Sequence, residues 1–210
     1  IDHHVSNQAF ADDNYIFPDA SSTCELVFEL MDEEKITKEI AECLYTGMVH
    51  DTGVFQYSCT SAKTMNIAGR LMDKGIDYSK IIDDTFYTKT YNQNRIMGLA
   101  LVKSKLYLGG QCIVSSITQD EMHAYDVLPK HLDGIVSQLR VTKDVKVAVF
   151  LYENEDGTYK ASFRVNGEFD AASLAMKFGG GGHVKAAGCT MQGALDEIES
   201  TLVDEIAARL

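Results

Sequence analysis

The run Phe178-Gly179-Gly180-Gly181-Gly182-His183-Val184-Lys185-Ala186-Ala187-Gly188 constrains this chain more than any other stretch. Four consecutive glycines leave backbone N–H groups able to approach an anion closely, with no Cβ atoms in the way. His183 and Lys185 add charge-assisted donors. The pattern is not the helical phosphate loop GxxxxGK[ST], because neither Ser nor Thr follows Lys185. A flexible linker is the competing reading. Flexible linkers are normally embedded in polar residues, whereas Ala186-Ala187-Gly188-Cys189 resume at once as a packed strand.

The rest of the chain divides in character. In the first half helices outnumber strands. Residues 21–34 carry Leu26, Val27, Leu30 and Met31 on one helical face behind an N-cap serine, Ser21 or Ser22. Thr37 caps a second helix through Ile40, Ala41, Leu44, Tyr45 and Met48, and residues 61–74 form a third, closed by Gly75. Strand signals here are short, at Ile1 and at residues 15–17. In the second half, residues 106–118 alternate as a strand pair around Gly109-Gly110, and residues 129–140 are helical after Pro129. Residues 145–152 and 159–165 flank a hairpin signal at Asn154-Glu155-Asp156-Gly157. Asp170 caps a helix through Phe178, and residues 194–210 close the chain with the stripe Leu195, Ile198, Leu202, Val203 and Ile206. The expectation is an α/β protein in two parts: residues 1–87, a linker at 88–104, and a smaller mixed-sheet α/β domain at 105–210, with a cleft between them.

Composition bounds the chemistry. An apolar content of 45% supports a real core, and no apolar run approaches the length of about 18 residues that a membrane-spanning helix needs. The first residues show no basic stretch leading into an apolar one. Five cysteines (Cys24, Cys43, Cys59, Cys112, Cys189) have no CxxC spacing, which fits reduced thiols and a cytoplasmic location. A balance of 19 basic against 31 acidic residues gives a net charge of -12, which excludes long duplex nucleic acid as a partner. Residues 140–189 nevertheless carry seven Lys/Arg against six Asp/Glu, so a short phosphorylated ligand in a locally basic pocket fits.

Three further constellations stand beside the glycine run. Asp2-His3-His4 sets an acid next to two imidazoles at a strand end; neutral His binds transition metals, and a neighbouring carboxylate binds metal or orients a ring. Taken alone, such a triplet reads equally as a surface cluster. Gly47-Met48-Val49-His50-Asp51-Thr52-Gly53 places Asp51 at the end of an apolar helix, where the helix dipole disfavours an anion and a cation would compensate it. The alternative there is an Asp that closes the turn with Thr52 and Gly53. In Ala161-Ser162-Phe163-Arg164-Val165, alternation puts Arg164 on the face opposite Phe163 and Val165, where it either meets solvent or binds phosphate bidentately.

Together these residues resemble the DHH-family phosphoesterases. The Asp2-His3-His4 triplet is similar to that family's third motif and His50-Asp51-Thr52-Gly53 to its fourth. The Gly179–Gly188 run is similar to the signature of the DHH-associated C-terminal domain. Order and spacing agree along the whole chain. Asp2-His3-His4-Val5-Ser6-Asn7, the stretch from Phe10 to Leu26 and the Ala-Ala-Gly-Cys after the glycines bring it nearest the bifunctional oligoribonucleases (nanoRNases) that also dephosphorylate phosphoadenosine phosphate. The family carries an HxxPDxD segment and a further Asp upstream; here the one Pro-Asp pair, Pro18-Asp19, follows the triplet. The resemblance therefore implies that about the first third of the protein precedes Ile1.

What the resemblance implies is a metal-dependent phosphodiesterase and phosphatase hydrolysing short oligoribonucleotides and 3′-phosphoadenosine 5′-phosphate. Two divalent ions, manganese or magnesium, about 3.5–4 Å apart, would share a bridging water for in-line attack. His3 and Asp51 would be metal ligands, with further ligands upstream of residue 1. Asp2 would be an acid fixing the His tautomer, and His4 would contact the phosphate or leaving group. Arg164, His183 and the backbone of Gly180, Gly181 and Gly182 would bind the substrate's terminal phosphate or nucleotide, facing one another across a shared cleft. Two near-octahedral ions need about five or six protein ligands, so the chain by itself is expected to hydrolyse such substrates poorly while still binding them. Short single-stranded RNA or a small phosphonucleotide is the expected partner. A cyclic dinucleotide phosphodiesterase of the same build, or a non-catalytic nucleotide-binding module, are the alternatives.

Overall fold

A computed structural model describes residues 1–4 and 7–210; Val5 and Ser6, part of the stretch that carries the resemblance, lie outside the described residues. The chain divides into two compact units, residues 1–88 and 89–210.

The first unit is helical. Helix α1 (Thr23–Leu30) is capped by Ser22, whose hydroxyl accepts from the Glu25 N–H. Helix α2 (Lys38–Thr52) is capped by Thr37 and stopped by Gly53 in the left-handed conformation. Helix α3 (Ala62–Met72) opens with a reciprocal Ser61–Thr64 capping box, and a short α4 (Tyr78–Ile82) runs into a π-helical turn at residues 83–87. Their apolar faces meet around Phe28, Leu44, Met48, Ile67 and Leu71. The expected strands reduce to one parallel bridge between Asp2 and Ile16.

The core of this unit also holds a charge. Glu25 is 2% exposed, and its Oε2 accepts from the Ser21 hydroxyl at 2.5 Å and the Thr64 hydroxyl at 2.7 Å. Lys63 Nζ stands 3.4 Å from Oε1. Burial pushes the Glu25 carboxyl up, but the two hydroxyl donors and Lys63 outweigh it and hold the group below its ordinary value.

The second unit is a six-stranded mixed sheet with helices on both faces. Helix α5 (Tyr91–Lys103) leads into β1 (Lys105–Tyr107) and β2 (Cys112–Ile117); α6 (Gln119–Ala124) and α7 (Ile135–Arg140) lead into the hairpin of β3 (Val147–Glu153) and β4 (Tyr159–Val165). Helix α8 (Ala171–Lys177), β5 (Gly181–His183), β6 (Ala186–Met191) and α9 (Leu195–Ala207) complete it. The strand order is β1-β2-β3-β4-β6-β5, with β2–β3 parallel and every other pair antiparallel. The stretch expected as a linker at 88–104, with a connecting helix over 96–103, is mostly α5, and Ile96 and Ala100 are fully buried in this unit's core. The expected helix at 129–140 is interrupted: a 3-10 turn over Pro129–Leu132 ends before Gly134, whose φ of 89° lies in the left-handed region.

The helices cover the two sheet faces unequally. One face carries Val114, Val149, Phe163 and Ala187 against α8 and α9. The other packs Ile113, Ala148 and Phe150 against α5, α6 and α7. β2 is buried at every residue, as expected for a strand covered on both sides, whereas β4 alternates buried with half-exposed or exposed positions. On the second face, toward β6 and β5, Lys160, Thr190, Gly181 and His183 are exposed. Half of that face is open.

Glu25→Gln should destabilise the protein by about 1–2 kcal/mol at neutral pH, because hydrogen bonds to a charged acceptor are replaced by neutral ones. Since the folded-state pKa is depressed, this contribution is complete above the ordinary glutamate range and is lost as pH falls through the lower folded value. Denaturation of both proteins across an acid pH series should show the gap closing; a constant gap would contradict the charged network.

Candidate functional site

In the first unit the site rests on how α2 ends. Asp51 lies in its last turn, and Thr52, fully buried, donates its hydroxyl to the Met48 carbonyl and accepts from the Phe55 N–H. Gly53, Val54 and Phe55 then follow with φ of 56°, 57° and 63°. Two non-glycine residues in succession in the left-handed region are strained. A Cβ at Gly53 would stand 2.3 Å from the Tyr57 ring, so only glycine lets that ring lie on the turn. Thr52, and not the Asp51 carboxylate, closes the turn. That leaves the carboxylate to face His3, whose Nε2 stands 3.5 Å from Asp51 Oδ2.

His3 is held from its other side. Its Nδ1 lies 3.2 Å from the Ala20 carbonyl, an acceptor only, so in the neutral ring Nδ1 carries the proton and Nε2 presents a lone pair. Two acceptors then face each other, an arrangement that a cation would stabilise. Nitrogen and oxygen ligands bind a divalent ion at about 2.0–2.2 Å, and a pair 3.5 Å apart fits one ion between them. A ring fixed by a backbone carbonyl is also the usual outer-shell support of a metal-binding histidine. Among the described residues no cluster of three or more His, Cys, Asp or Glu side chains is placed to hold a metal ion; His3 and Asp51 stand as a facing pair.

Asp2 is expected to fix a histidine tautomer, and the imidazole it bonds is that of His4. Its Oδ1 accepts from His4 Nδ1 at 2.6 Å and from the His3 and His4 backbone N–H groups, and its Oδ2 accepts from Asn7 at 2.6 Å. The His3 and His4 rings meet edge to face with centroids 4.8 Å apart, and it is the His4 ring that the Asp2 carboxylate binds. The Asn7 amide and the His4 ring hold the Asp2 carboxyl well below the ordinary range. The acid therefore fixes the ring of His4, whose side chain is half exposed.

In the second unit, register brings the expected residues onto the open face. Arg164 pairs with Ala186, which pairs with His183, so both lie in one row across β4, β6 and β5. At strand spacings of about 4.8 Å they sit about 10 Å apart, side by side and not opposed across a cleft. The next row, Ser162-Gly188-Gly181, has almost no side chains; beyond it Lys160 and Thr190 are paired. A shallow trough results, with Arg164, Ala186 and His183 along one wall and Lys160 and Thr190 along the other.

The glycines take different parts. The Gly180 N–H donates to the Ala175 carbonyl at 2.9 Å and so ends α8; it is not directed at a ligand, contrary to the sequence expectation. A Cβ at Gly180 would stand 2.2 Å from the Gly188 carbonyl oxygen, and one at Gly182 2.6 Å from that of Ala186. Gly181 meets nothing within 4 Å and opens onto the trough. Gly181, Gly182 and His183 form the sheet's edge strand. Lys185 donates to the Gly167 carbonyl and braces the turn. Sequence reasoning missed Ala20, Ser162 and Gly188. Ala20 acts through its backbone, which leaves no side-chain signal, and the other two are visible only in cross-strand register.

The comparisons agree with the motifs. Residues 1–48 match the DHH family, N-terminal domain, and residues 109–208 match the DHHA1 domain. The protein named bifunctional oligoribonuclease and PAP phosphatase NrnA of Thermus thermophilus is 30% identical over 100% of this chain and 64% of its own length. The Bacillus subtilis protein of the same name is 29% identical over 97% of the chain and 65% of its length. The chain thus spans slightly less than two thirds of these relatives. The crystal structure of an exopolyphosphatase-related protein from Bacteroides fragilis superposes with a TM-score of 0.90 at 32% identity, covering 97% of this chain and 62% of that one. No helix among the described residues is long and apolar enough to cross a membrane.

Asp51→Asn keeps the shape of the side chain and removes its charge. It should weaken manganese binding more than tenfold while circular dichroism stays unchanged. Electron paramagnetic resonance of unbound manganese measures this directly, and an unaltered affinity would remove Asp51 from the ligand set.

Proposed function

Because the chain belongs to the DHH family and carries its DHHA1 domain, we propose that it is a phosphoesterase acting on short oligoribonucleotides and 3′-phosphoadenosine 5′-phosphate, with divalent metal as cofactor. The observation that carries this reading is the open trough: an unobstructed Ser162-Gly188-Gly181 row beside Arg164 and His183, in the same chain as the facing His3–Asp51 pair. The relatives named for oligoribonuclease and PAP phosphatase activity support the substrate class.

The first unit does the chemistry in this reading. His3 Nε2 and Asp51 Oδ2 are the atoms that would hold a divalent ion, manganese or magnesium. Such an ion supplies Lewis-acid polarisation of a phosphoryl oxygen and lowers the pKa of a coordinated water. His3 keeps its lone pair aimed because Ala20 holds the opposite ring nitrogen. Asp2, pulled toward its ionised form by Asn7 and His4, holds a proton at His4 Nδ1. His4 then presents Nε2 to the phosphate or the leaving oxygen.

The second unit holds the substrate end. Arg164 offers a planar fork to a terminal phosphate, while its Nη1 donates to the Phe163 carbonyl at 3.0 Å and steadies the guanidinium. His183 and the edge-strand backbone at Gly181 and Gly182 complete the anion site, and Gly180 supports it by ending α8. Short ligands suit a trough that crosses only three strands.

Gly181→Val tests the trough without disturbing the fold. The new side chain meets nothing within 4 Å on a strand, where valine is favourable. It should leave the melting temperature nearly unchanged and raise KM for a diribonucleotide about tenfold or more. Gly188→Val, whose Cβ would stand 2.8 Å from the Ala161 carbonyl oxygen, should instead destabilise the unit by about 1–3 kcal/mol. Normal substrate affinity in Gly181→Val would overturn the trough as the binding surface.

A further inference from the structure

At the β3 end of the trough's central row a slot of about 160 Å³ opens between Tyr152 and Arg164. Phe150 and Ser162, paired across β3 and β4, form its floor; Tyr152 lies one row beyond, opposite Lys160. Val136 and Gly134 line it from the α7 side, and Lys130 and Asp133 stand exposed at its margin. We propose that this slot receives the nucleobase of the terminal nucleotide, with the Tyr152 ring as its stacking surface. The inference rests on the reading of Arg164 as a phosphate ligand and adds a base-recognising residue to it.

Three observations favour a base over a second phosphate or a whole small ligand. The floor and one wall are aromatic: Phe150 is 3% exposed, Tyr152 is half-buried, and their ring centroids lie 6.4 Å apart. Lys130 and Asp133 offset one another in charge at the mouth, and the Asp133 carboxylate can accept from a neutral base edge. The volume is below the range of about 300–1,000 Å³ typical of complete small-molecule sites, yet sufficient for one ring system of a larger ligand whose remainder lies outside. Arg164 borders both the slot and the trough, so a nucleotide whose phosphate it holds can turn its base toward Tyr152. Aromatic stacking is the usual means of holding an unpaired base, and it tolerates differences among bases.

The chain contains no tryptophan, so Tyr152→Trp installs a single indole at the proposed contact. Adenosine monophosphate should quench its fluorescence saturably, and ribose 5-phosphate should not. By calorimetry, Tyr152→Ala should bind adenosine monophosphate about five- to a hundredfold more weakly, the loss of one stacked base, with ribose 5-phosphate affinity unchanged. Tyr152→Phe keeps the ring and should bind both like the native chain, which separates stacking from folding. Adenosine monophosphate binding with no quenching, or an equal loss of both ligands in Tyr152→Ala, would overturn the base slot alone. Failure of the native chain to bind either ligand would overturn the phosphate site and the slot with it.

Discussion

The second unit depends on how closely three strand backbones can approach at their glycines. Gly188 passes the Ala161 carbonyl, Gly180 passes Gly188, and Gly182 passes Ala186, each at a distance that leaves no room for a Cβ. Glycine loses more conformational freedom on folding than other residues, so four in succession are unfavourable unless packing compensates. Here Ala187 and Cys189, alternating with the small open-face residues, bury that segment against α8 and α9. The sheet thereby extends through β6 and β5, beyond the helices that cover its other half. An open surface on a fully supported strand is the result, and it is more rigid than a loop would be.

The first unit meets a comparable demand with different means. An anion at the end of α2 is disfavoured by the helix dipole, and the turn that follows is strained at Val54 and Phe55. Thr52 is buried between Met48 and Phe55, and the Tyr57 ring lies on Gly53, so the strained turn is braced from within and from above. His3 is aimed by a backbone carbonyl two residues upstream of Ser22, the cap of α1, while Ser21 is tied to buried Glu25. The ring of His3 is thus positioned by the same polar network that joins α1 to α3.

Much of this was legible in the sequence because it is local. Thr37 and Asp170 cap the helices they were expected to cap, and Asn154-Glu155-Asp156-Gly157 turns between β3 and β4. Alternation placed Arg164 opposite Phe163 correctly, since period-two patterning survives wherever one strand face is buried. Non-local relations were not legible. The trough needs the register of β4, β6 and β5 together, and register depends on pairing between distant segments. Helix α5 resembles a polar connector at its start, and only the tertiary burial of Ile96 and Ala100 makes it part of the second unit.

Charge explains why such a surface suits short ligands. The chain carries a net charge of -12, yet Lys160 and Arg164 stand on the open face with His183 at its edge. A long nucleic acid would gain counterion release only over these few contacts and would meet repulsion from the acidic remainder. Single strands lose affinity with salt at a slope of about 0.7 per neutralised phosphate, so two cations imply a shallow dependence and a correspondingly small electrostatic gain. In the proposed reading, affinity comes from contacts that length does not multiply: a bidentate arginine, an edge-strand backbone and a stacked base. Each of these recognises an end, and none requires the rest of a polymer.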